Sequence, residues 1–362
     1  MLPLWVAKLT NMKTKNTAQP KLFIGIDIHK ASWSIRLATD LFQGKRFTTP
    51  SDPDVLREYV QKHYANHEVY CAYEAGCCGY SAHRAFESFG WQSLVFNPAD
   101  ISRNGKTQYQ KTDQIDADLI CRELRDNRLT AITVPEEDRE HLRCLFRRRN
   151  DLVKDVRQIQ SRIKAQILFM GIKIPVEYDN SNWTKVFQSW LKELILKNAT
   201  VKAALDSRLK QYEFLEKEVR EVSNALRKYC RTHHKKDYRL LRSVPGIGGI
   251  VACGVLSELG DLRRFDNFKQ LAAYVGLMPR IHQSGDNMRS QGISPRGNSI
   301  IRSYFVEASW QALRFDPAMQ IFYRSHAGRN PKAILVKVAR KLLSRTLSVI
   351  KTETPYQIGV VK

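Results

Sequence analysis

The sequence predicts an α/β domain with a mixed sheet, followed by an all-α remainder built on long coiled-coil helices. Three observations carry this. Residues 21–134 open with apolar strands in direct succession and then alternate strand with helix. From Pro135 onward, apolar residues recur at alternating three- and four-residue spacings. From about residue 238, shorter helical patterns are punctuated by Gly and Pro. The expected units are a basic, disordered tail over 1–20, the α/β domain over 21–134 and a helical domain over 135–237. A C-terminal domain over 238–350 and a tail over 351–362 complete them.

In the first domain, residues 22–28 and 32–39 read as a β-hairpin, and Lys45–Thr49 adds a third strand. Asp52-Pro53 starts a helix that runs to about His63. Val69–Tyr73 is another apolar run, ending in Glu74. Gly76 and Gly79 then turn the chain into a helix carrying Ala82, Ala85 and Phe86. Ser93–Phe96 reads as a strand, and Lys111-Thr112-Asp113 opens a helix to about Asn127.

After Pro135, one heptad seam takes Leu142, Leu145, Leu152, Val156, Ile159, Ile163 and Met170, with Arg149 and Gln166 in its remaining places. A second takes Leu205, Leu209, Tyr212, Leu215, Val219, Val222, Leu226 and Tyr229. These seams make either an antiparallel pair or an intermolecular coiled coil. The exposed faces carry Arg147, Arg148, Arg149, Lys154, Arg157, Arg162 and Lys164, a one-signed excess at least as suited to phosphate as to plain solvation. Residues 171–200 match no pattern.

In the last part, Val244-Pro245-Gly246-Ile247-Gly248 resembles the turn of a helix-hairpin-helix element, in which Gly246 and Gly248 would bring backbone amides to a DNA phosphate. Phe265–Val275 is expected to be helical, and Pro279–Gly285 irregular. A basic, Gly-punctuated run with Arg289, Arg296, Gly297 and Asn298 follows. Ile300–Leu313 is helical, and Lys332–Thr346 is a basic amphipathic helix with Lys337 and Arg340.

Composition narrows the function. Lys and Arg outnumber Asp and Glu by 59 to 36, for a formal charge of +23, which favours a polyanionic partner. Nucleic acid comes first and an anionic membrane surface second. No stretch supplies the roughly 20 apolar residues that span a bilayer. Seven cysteines without a CxxC pair point to reduced thiols and a cytoplasmic setting, not to a disulfide scaffold or zinc site.

The chemistry-bearing residues are carboxylates. Asp27 follows the first strand, Glu74 ends another, and Asp113 and Asp116 stand three residues apart at a helix start. Asp118 points elsewhere. Four acids from three separated segments are the parts needed to hold two divalent cations, Mg²⁺ or Mn²⁺. Helix capping explains Asp113 and Asp116 without a metal, but not acids at two strand ends beside a basic surface.

Gly25-Ile26-Asp27-Ile28-His29-Lys30, Tyr73-Glu74-Ala75-Gly76 and Lys111-Thr112-Asp113-Gln114-Ile115-Asp116-Ala117 resemble the three acidic motifs of the DEDD transposases of bacterial insertion sequences. The family is the one numbered one hundred and ten, understood as bridge-RNA-guided recombinases. The segment from Val244–Gly248 through Tyr274-Val275-Gly276-Leu277 and Ser284-Gly285 to Gly297-Asn298 resembles that family's C-terminal transposase domain. The resemblance covers about residues 21–320 in the family's order.

It implies a RuvC-like (RNase H-like) first domain, a central coiled coil and a C-terminal domain with a nucleophilic serine. Asp27, Glu74, Asp113 and Asp116 become the metal-holding catalytic acids, and Ser284 in Gln283-Ser284-Gly285 the nucleophile. The implied partners are DNA (element ends and target), a guide RNA and further copies of the chain as a dimer or tetramer. The setting implied is the bacterial cytoplasm, at the nucleoid.

A serine hydroxyl is a weak nucleophile near neutral pH without a base, a metal or local positive charge. Arg280, Arg289 and Arg296 are placed in sequence to clamp a scissile phosphate. His282 reads as a loop or nucleic-acid-contacting residue. Two other readings stand beside this one: a hydrolytic RuvC-like nuclease or junction resolvase, and a non-catalytic nucleic-acid-binding scaffold.

Overall fold

The computed structural model describes residues 19–98, 113–179, 182–196, 198–284, 287–294 and 297–359. The side chains of 113–115, 280–284 and 287–291 are outside that description. The expectations for the first 18 residues lie outside it as well. The chain divides into two compact units at Val134/Pro135.

The first unit is a five-stranded sheet in the order β3-β2-β1-β4-β5. Its strands are β1 (Lys21–Ile28), β2 (Ser32–Thr39), β3 (Gln43–Pro50), β4 (Glu68–Glu74) and β5 (Gln92–Phe96). β1 pairs antiparallel with β2 and parallel with β4; β3 and β5 complete the edges antiparallel and parallel respectively. This mixed order is consistent with the RNase H-like domain that the resemblance implied.

β1 is central, which is why Leu22 to Ile26 form an unbroken buried run instead of an alternation. One sheet face carries Leu22, Ile24, Ile26, Cys71 and Tyr73. It packs on α1 (Pro53–Tyr64) through Leu56 and Val60, and on α2 (Ser81–Ser88) through Ala82 and Phe86. α1 starts where expected, with Asp52 accepting from the Asp54 amide (2.9 Å) and Pro53 in the first turn. The other face carries Phe23, Ala38, Ala72 and Phe96 under Ile120, Cys121 and Leu124 of α3 (Asp113–Arg125).

The second unit opens with α4 (Glu137–Phe169), α5 (Lys185–Glu193) and α6 (Ala199–His233). α4 and α6 pair antiparallel within one chain. Arg208 donates to the Arg162 carbonyl (3.0 Å) and Gln166 to the Val201 carbonyl (3.3 Å), while Arg149 reaches Ser223 Oγ (2.8 Å). Leu152, Ile159, Ile163 and Ile167 interleave with Leu205, Leu209, Tyr212 and Leu215.

Two seam positions differ from expectation. Phe146 and Ile167 are buried, whereas Leu145 is only partly covered and Met170 is exposed. The reason is that α4 serves two partners. Its first turns pack on the C-terminal helices, where Phe146 lies so close to Gly254 that an added Cβ would stand 2.6 Å from its ring. Residues 171–200 also gain an explanation. α5 buries Phe187 and Leu191 against both long helices, and Trp183, Trp190 and Tyr178 surround Phe187.

The chain then forms α7 (Lys235–Ser243) and α8 (Gly249–Gly254), which runs on as a π-helical turn, Val255–Leu259. α9 (Phe268–Val275) starts later than expected. Asn267 caps it, accepting from the Gln270 amide (3.0 Å), so Phe265 stays outside the helix and in the core. β6 (Pro279–Ser284) and β7 (Asn287–Ile293) form an antiparallel ribbon where an irregular segment was expected. Their polar composition concealed a pairing that requires no buried face. α10 (Ser299–Phe315), α11 (Pro317–Arg324) and α12 (Pro331–Thr352) complete the unit. Its largest core joins Leu142, Phe146 and Leu226 of the long helices to Leu241, Leu256, Phe305 and Leu342.

Candidate active site

Asp27 and Glu74 end neighbouring parallel strands. The register of β1 and β4 runs from Lys21 opposite Glu68 to Ile26 opposite Tyr73, and its next step sets Asp27 beside Glu74. Paired strands lie about 4.8 Å apart, and paired residues share a face. Alternation decides which face. Phe23 and Ala72 point to α3 while Ile26 and Tyr73 point to α1 and α2, so Asp27 and Glu74 belong to the α3 side.

Helix α3 crosses β1 in the opposite sense and very close to it. Cys121 Sγ donates to the Phe23 carbonyl (3.4 Å), and burial pushes its thiol up to about 11, keeping that proton in place. At Gly25 an added Cβ would stand 2.3 Å from the Ala117 carbonyl and 2.4 Å from the Cys121 amide. Only a residue without a side chain permits this approach. Moving back along α3 from Cys121 to Ala117 follows β1 from Phe23 to Gly25. One residue further stands Asp116, at the Asp27 end.

The fold therefore brings Asp27, Glu74 and Asp116 to one corner of the first unit. Asp113 opens α3 three residues earlier, with its side chain outside the described residues. Among the described residues, no three His, Cys, Asp or Glu side chains are gathered closely enough to hold a metal ion. The donor chemistry at the corner nevertheless suits a hard divalent cation, because every donor is a carboxylate oxygen.

One neighbour of this corner escaped the sequence reading. His29 Nε2 lies 3.1 Å from Asp27 Oδ2, and the Asp27 side chain is only 15% exposed, so the imidazole fixes the carboxylate's orientation. Its place two residues after Asp27 in the same motif was the available signal. Asp118, as expected, points elsewhere. It pairs with Arg46 and lies 3.4 Å from Arg36 Nε, on the β2–β3 side.

In the second unit, Gly246 and Gly248 play different parts. Gly246 has φ of 92°, and an added Cβ would lie 2.5 Å from the Ala308 carbonyl, so it is a packing residue pressed on α10. Gly248 is exposed, precedes α8, and has nothing within 4 Å of its missing Cβ. Only Gly248 offers backbone to an incoming ligand.

Ser284 ends β6 opposite Asn287, and His282 pairs with Arg289 across the ribbon. Arg280 lies on β6 next to Pro279. The side chains of these ribbon residues, and all of Arg296, lie outside the described residues. The ribbon's base is anchored. Ser294 donates its amide to Met278 (3.0 Å), Arg302 donates to the Ser294 carbonyl (2.9 Å), and the Asn298 amide donates to Tyr274 (2.8 Å).

Several arginines expected on phosphate are engaged by the protein's own groups instead. Arg147 donates to both oxygens of buried Glu258 (2.8 and 3.1 Å), and Asn298 Nδ2 adds a third bond at 2.7 Å. Arg143 and Arg139, one and two turns earlier on α4, donate to the carbonyls of Leu256, Ser257 and Glu258. A π-helical turn displaces carbonyls from the regular ladder, and this arginine stripe satisfies them. Arg149 bonds Ser223 and Tyr304. Arg340 donates to the Leu277 carbonyl (3.0 Å) over the Phe268 ring, which corrects its expected place on nucleic acid. Arg148, Arg157 and Lys337 are exposed.

Comparison with known proteins gives the family. Residues 24–170 match the family model of the DEDD transposase domain of the IS110 type, and residues 238–324 match the model described as Transposase IS116/IS110/IS902 family. The pilin gene-inverting protein of Moraxella lacunata is 27% identical over 349 residues, covering 93% of this chain and 98% of that protein. The transposase of insertion sequence element IS1111A from Coxiella burnetii is 24% identical, over 66% of this chain and 64% of its own. That of IS1328 from Yersinia enterocolitica is 27% identical, over 62% and 65%. Both matched segments lead to one statement: the chain belongs to the IS110 family of transposases.

Proposed function

We propose that this transposase cleaves and exchanges DNA strands through a covalent serine–DNA intermediate, at a site chosen by a guide RNA. What supports the reading is that Asp27 and Glu74 stand at the ends of neighbouring parallel strands, while α3, which carries Asp116, is pressed against β1 at Gly25. Asp27, Glu74, Asp113 and Asp116 would hold Mg²⁺ or Mn²⁺. The bound cation would supply charge neutralisation to the scissile phosphate and its nucleophile.

In this reading Ser284 Oγ forms a bond to phosphorus, the P–O bond to one deoxyribose breaks, and that sugar departs as a free hydroxyl. The serine proton passes to solvent or a nearby base. Arg280, Arg289 and Arg296 steady the phosphate. Exposed Arg148, Arg157 and Lys337, with the net charge of +23, hold DNA and RNA backbones without reading sequence. Base pairing with the RNA selects the site, and a dimer or tetramer brings several active sites to two duplexes at the bacterial nucleoid. Among the described residues no helix is long and apolar enough to cross a membrane.

The test is Mg²⁺-dependent cleavage of element-end DNA in the presence of RNA from the element's flanking non-coding region. Asp27→Ala, Glu74→Ala and Asp116→Asn should each reduce it by roughly a hundredfold or more, the scale of a lost electrostatic stabiliser. Full cleavage by folded Asp27→Ala and Glu74→Ala would defeat the reading.

A further inference from the structure

The junction of α6 and α7 carries a basic cleft that the active-site account does not use. It is lined by Arg231, Lys235, Tyr238, Arg239, Arg242 and Ser243. Between Glu221 and Glu258 the sequence holds seven Lys and Arg residues and a single acid, Asp237. The fold then segregates these charges. Asp237 is clamped by Arg263 through two bonds of 3.0 Å, and Lys236 pairs with Glu353. Both acids are thus engaged away from the cleft.

Arg231, Lys235, Arg239 and Arg242 are exposed and form no ion pair among the described residues. Elsewhere on the long helices the pattern differs: Lys154, Lys202 and Lys217 each meet an acid three or four residues away. Spacings of four and three place Lys235, Arg239 and Arg242 on one face of α7, and Arg231 at the end of α6 lines the same cleft. Tyr238 forms an apolar floor beneath it, with the Arg242 guanidinium 6.0 Å from its ring centre. From Lys235 to Arg242 the helix advances about 10 Å, which matches the rise of about three phosphates along one strand of a duplex.

We infer that this stripe is a backbone-binding site for duplex DNA, gripping successive phosphates of one strand without reading bases. The inference rests on the transposase reading for its choice of DNA. The stripe shares no residue with the carboxylate corner or with the ribbon that bears Ser284. Its contribution is therefore affinity and positioning, not chemistry.

The experiment is the salt dependence of binding to a random-sequence DNA duplex, measured in EDTA so that no cleavage intervenes. The full-length protein is compared with Lys235→Gln/Arg239→Gln/Arg242→Gln, with the three single variants, and with Lys236→Gln, whose cation is already paired with Glu353, as a control. Thermal melting verifies each fold. Each single change should make the slope of log K against log salt shallower by about 0.9, and the triple change by about 2 to 3. At fixed moderate salt the triple variant should bind at least about tenfold more weakly.

An unchanged slope in the folded single and triple variants would overturn the inference, as would an equal change in Lys236→Gln. A structured RNA run in parallel supplies the last arm. Loss confined to RNA would make the stripe an RNA site and refute the DNA assignment. Failure of the transposase reading appears separately, as cleavage that survives Asp27→Ala.

Discussion

Gly25 does more to build the candidate site than any carboxylate, because its missing side chain lets α3 lie against β1. The atoms it would strike, the Ala117 carbonyl and Cys121 amide, are backbone and cannot turn aside. Gly25→Ala should destabilise the first unit by about 1–3 kcal/mol, the usual cost of overpacking. Chemical denaturation measures that cost. Cleavage should fall further than the stability loss explains, since Asp116 moves with the helix. A variant of wild-type stability and activity would show that the close approach is dispensable. His29 acts at the same scale, orienting Asp27 from 3.1 Å.

At the scale of elements, the π-helical turn Val255–Leu259 is the joint that holds α4 to the C-terminal helices. Buried Glu258 accepts from Arg147 and Asn298 while Arg139 and Arg143 cover neighbouring carbonyls. A double-mutant cycle on Arg147→Ala and Glu258→Gln should return a coupling of about 1–3 kcal/mol. The upper end is discounted because the Arg147 side chain is 52% exposed. The exposed pair Lys154–Asp151 should give about 0.5 kcal/mol or less. Equal couplings would mean that Glu258 is solvated and the joint lies elsewhere.

This scale also shows what could be read in advance. Strands β1 to β5 and helices α1 to α3 were legible because alternation and caps are local signals. The acids proposed for the site could be picked out because each stands at or near an element end. The β6–β7 ribbon was not legible, since a ribbon of mostly polar residues leaves no periodic trace. Nor was the role of Arg139, Arg143 and Arg147. In sequence they resemble any basic helix face, and only the displaced carbonyls of a distant turn distinguish them. Arg340 misled for the same reason.

At the scale of the whole molecule, two kinds of positive charge coexist. One is structural, held by Glu258, the π-turn carbonyls and the Leu277 carbonyl. The other is unpaired in its surroundings, as on the α6–α7 stripe. The net charge of +23 therefore overstates the phosphate-binding surface, and mapping by structure is needed to locate it. The central claim joins the carboxylate corner to the serine of the ribbon in one reaction. Covalent trapping on a denaturing gel tests it most directly, using element-end DNA, Mg²⁺ and the flanking non-coding RNA. The account predicts an RNA-dependent protein–DNA adduct in wild type that is absent from both Ser284→Ala and Asp27→Ala. Cleavage without an adduct, kept in Ser284→Ala and lost in Asp27→Ala, would contradict it and leave a hydrolytic nuclease.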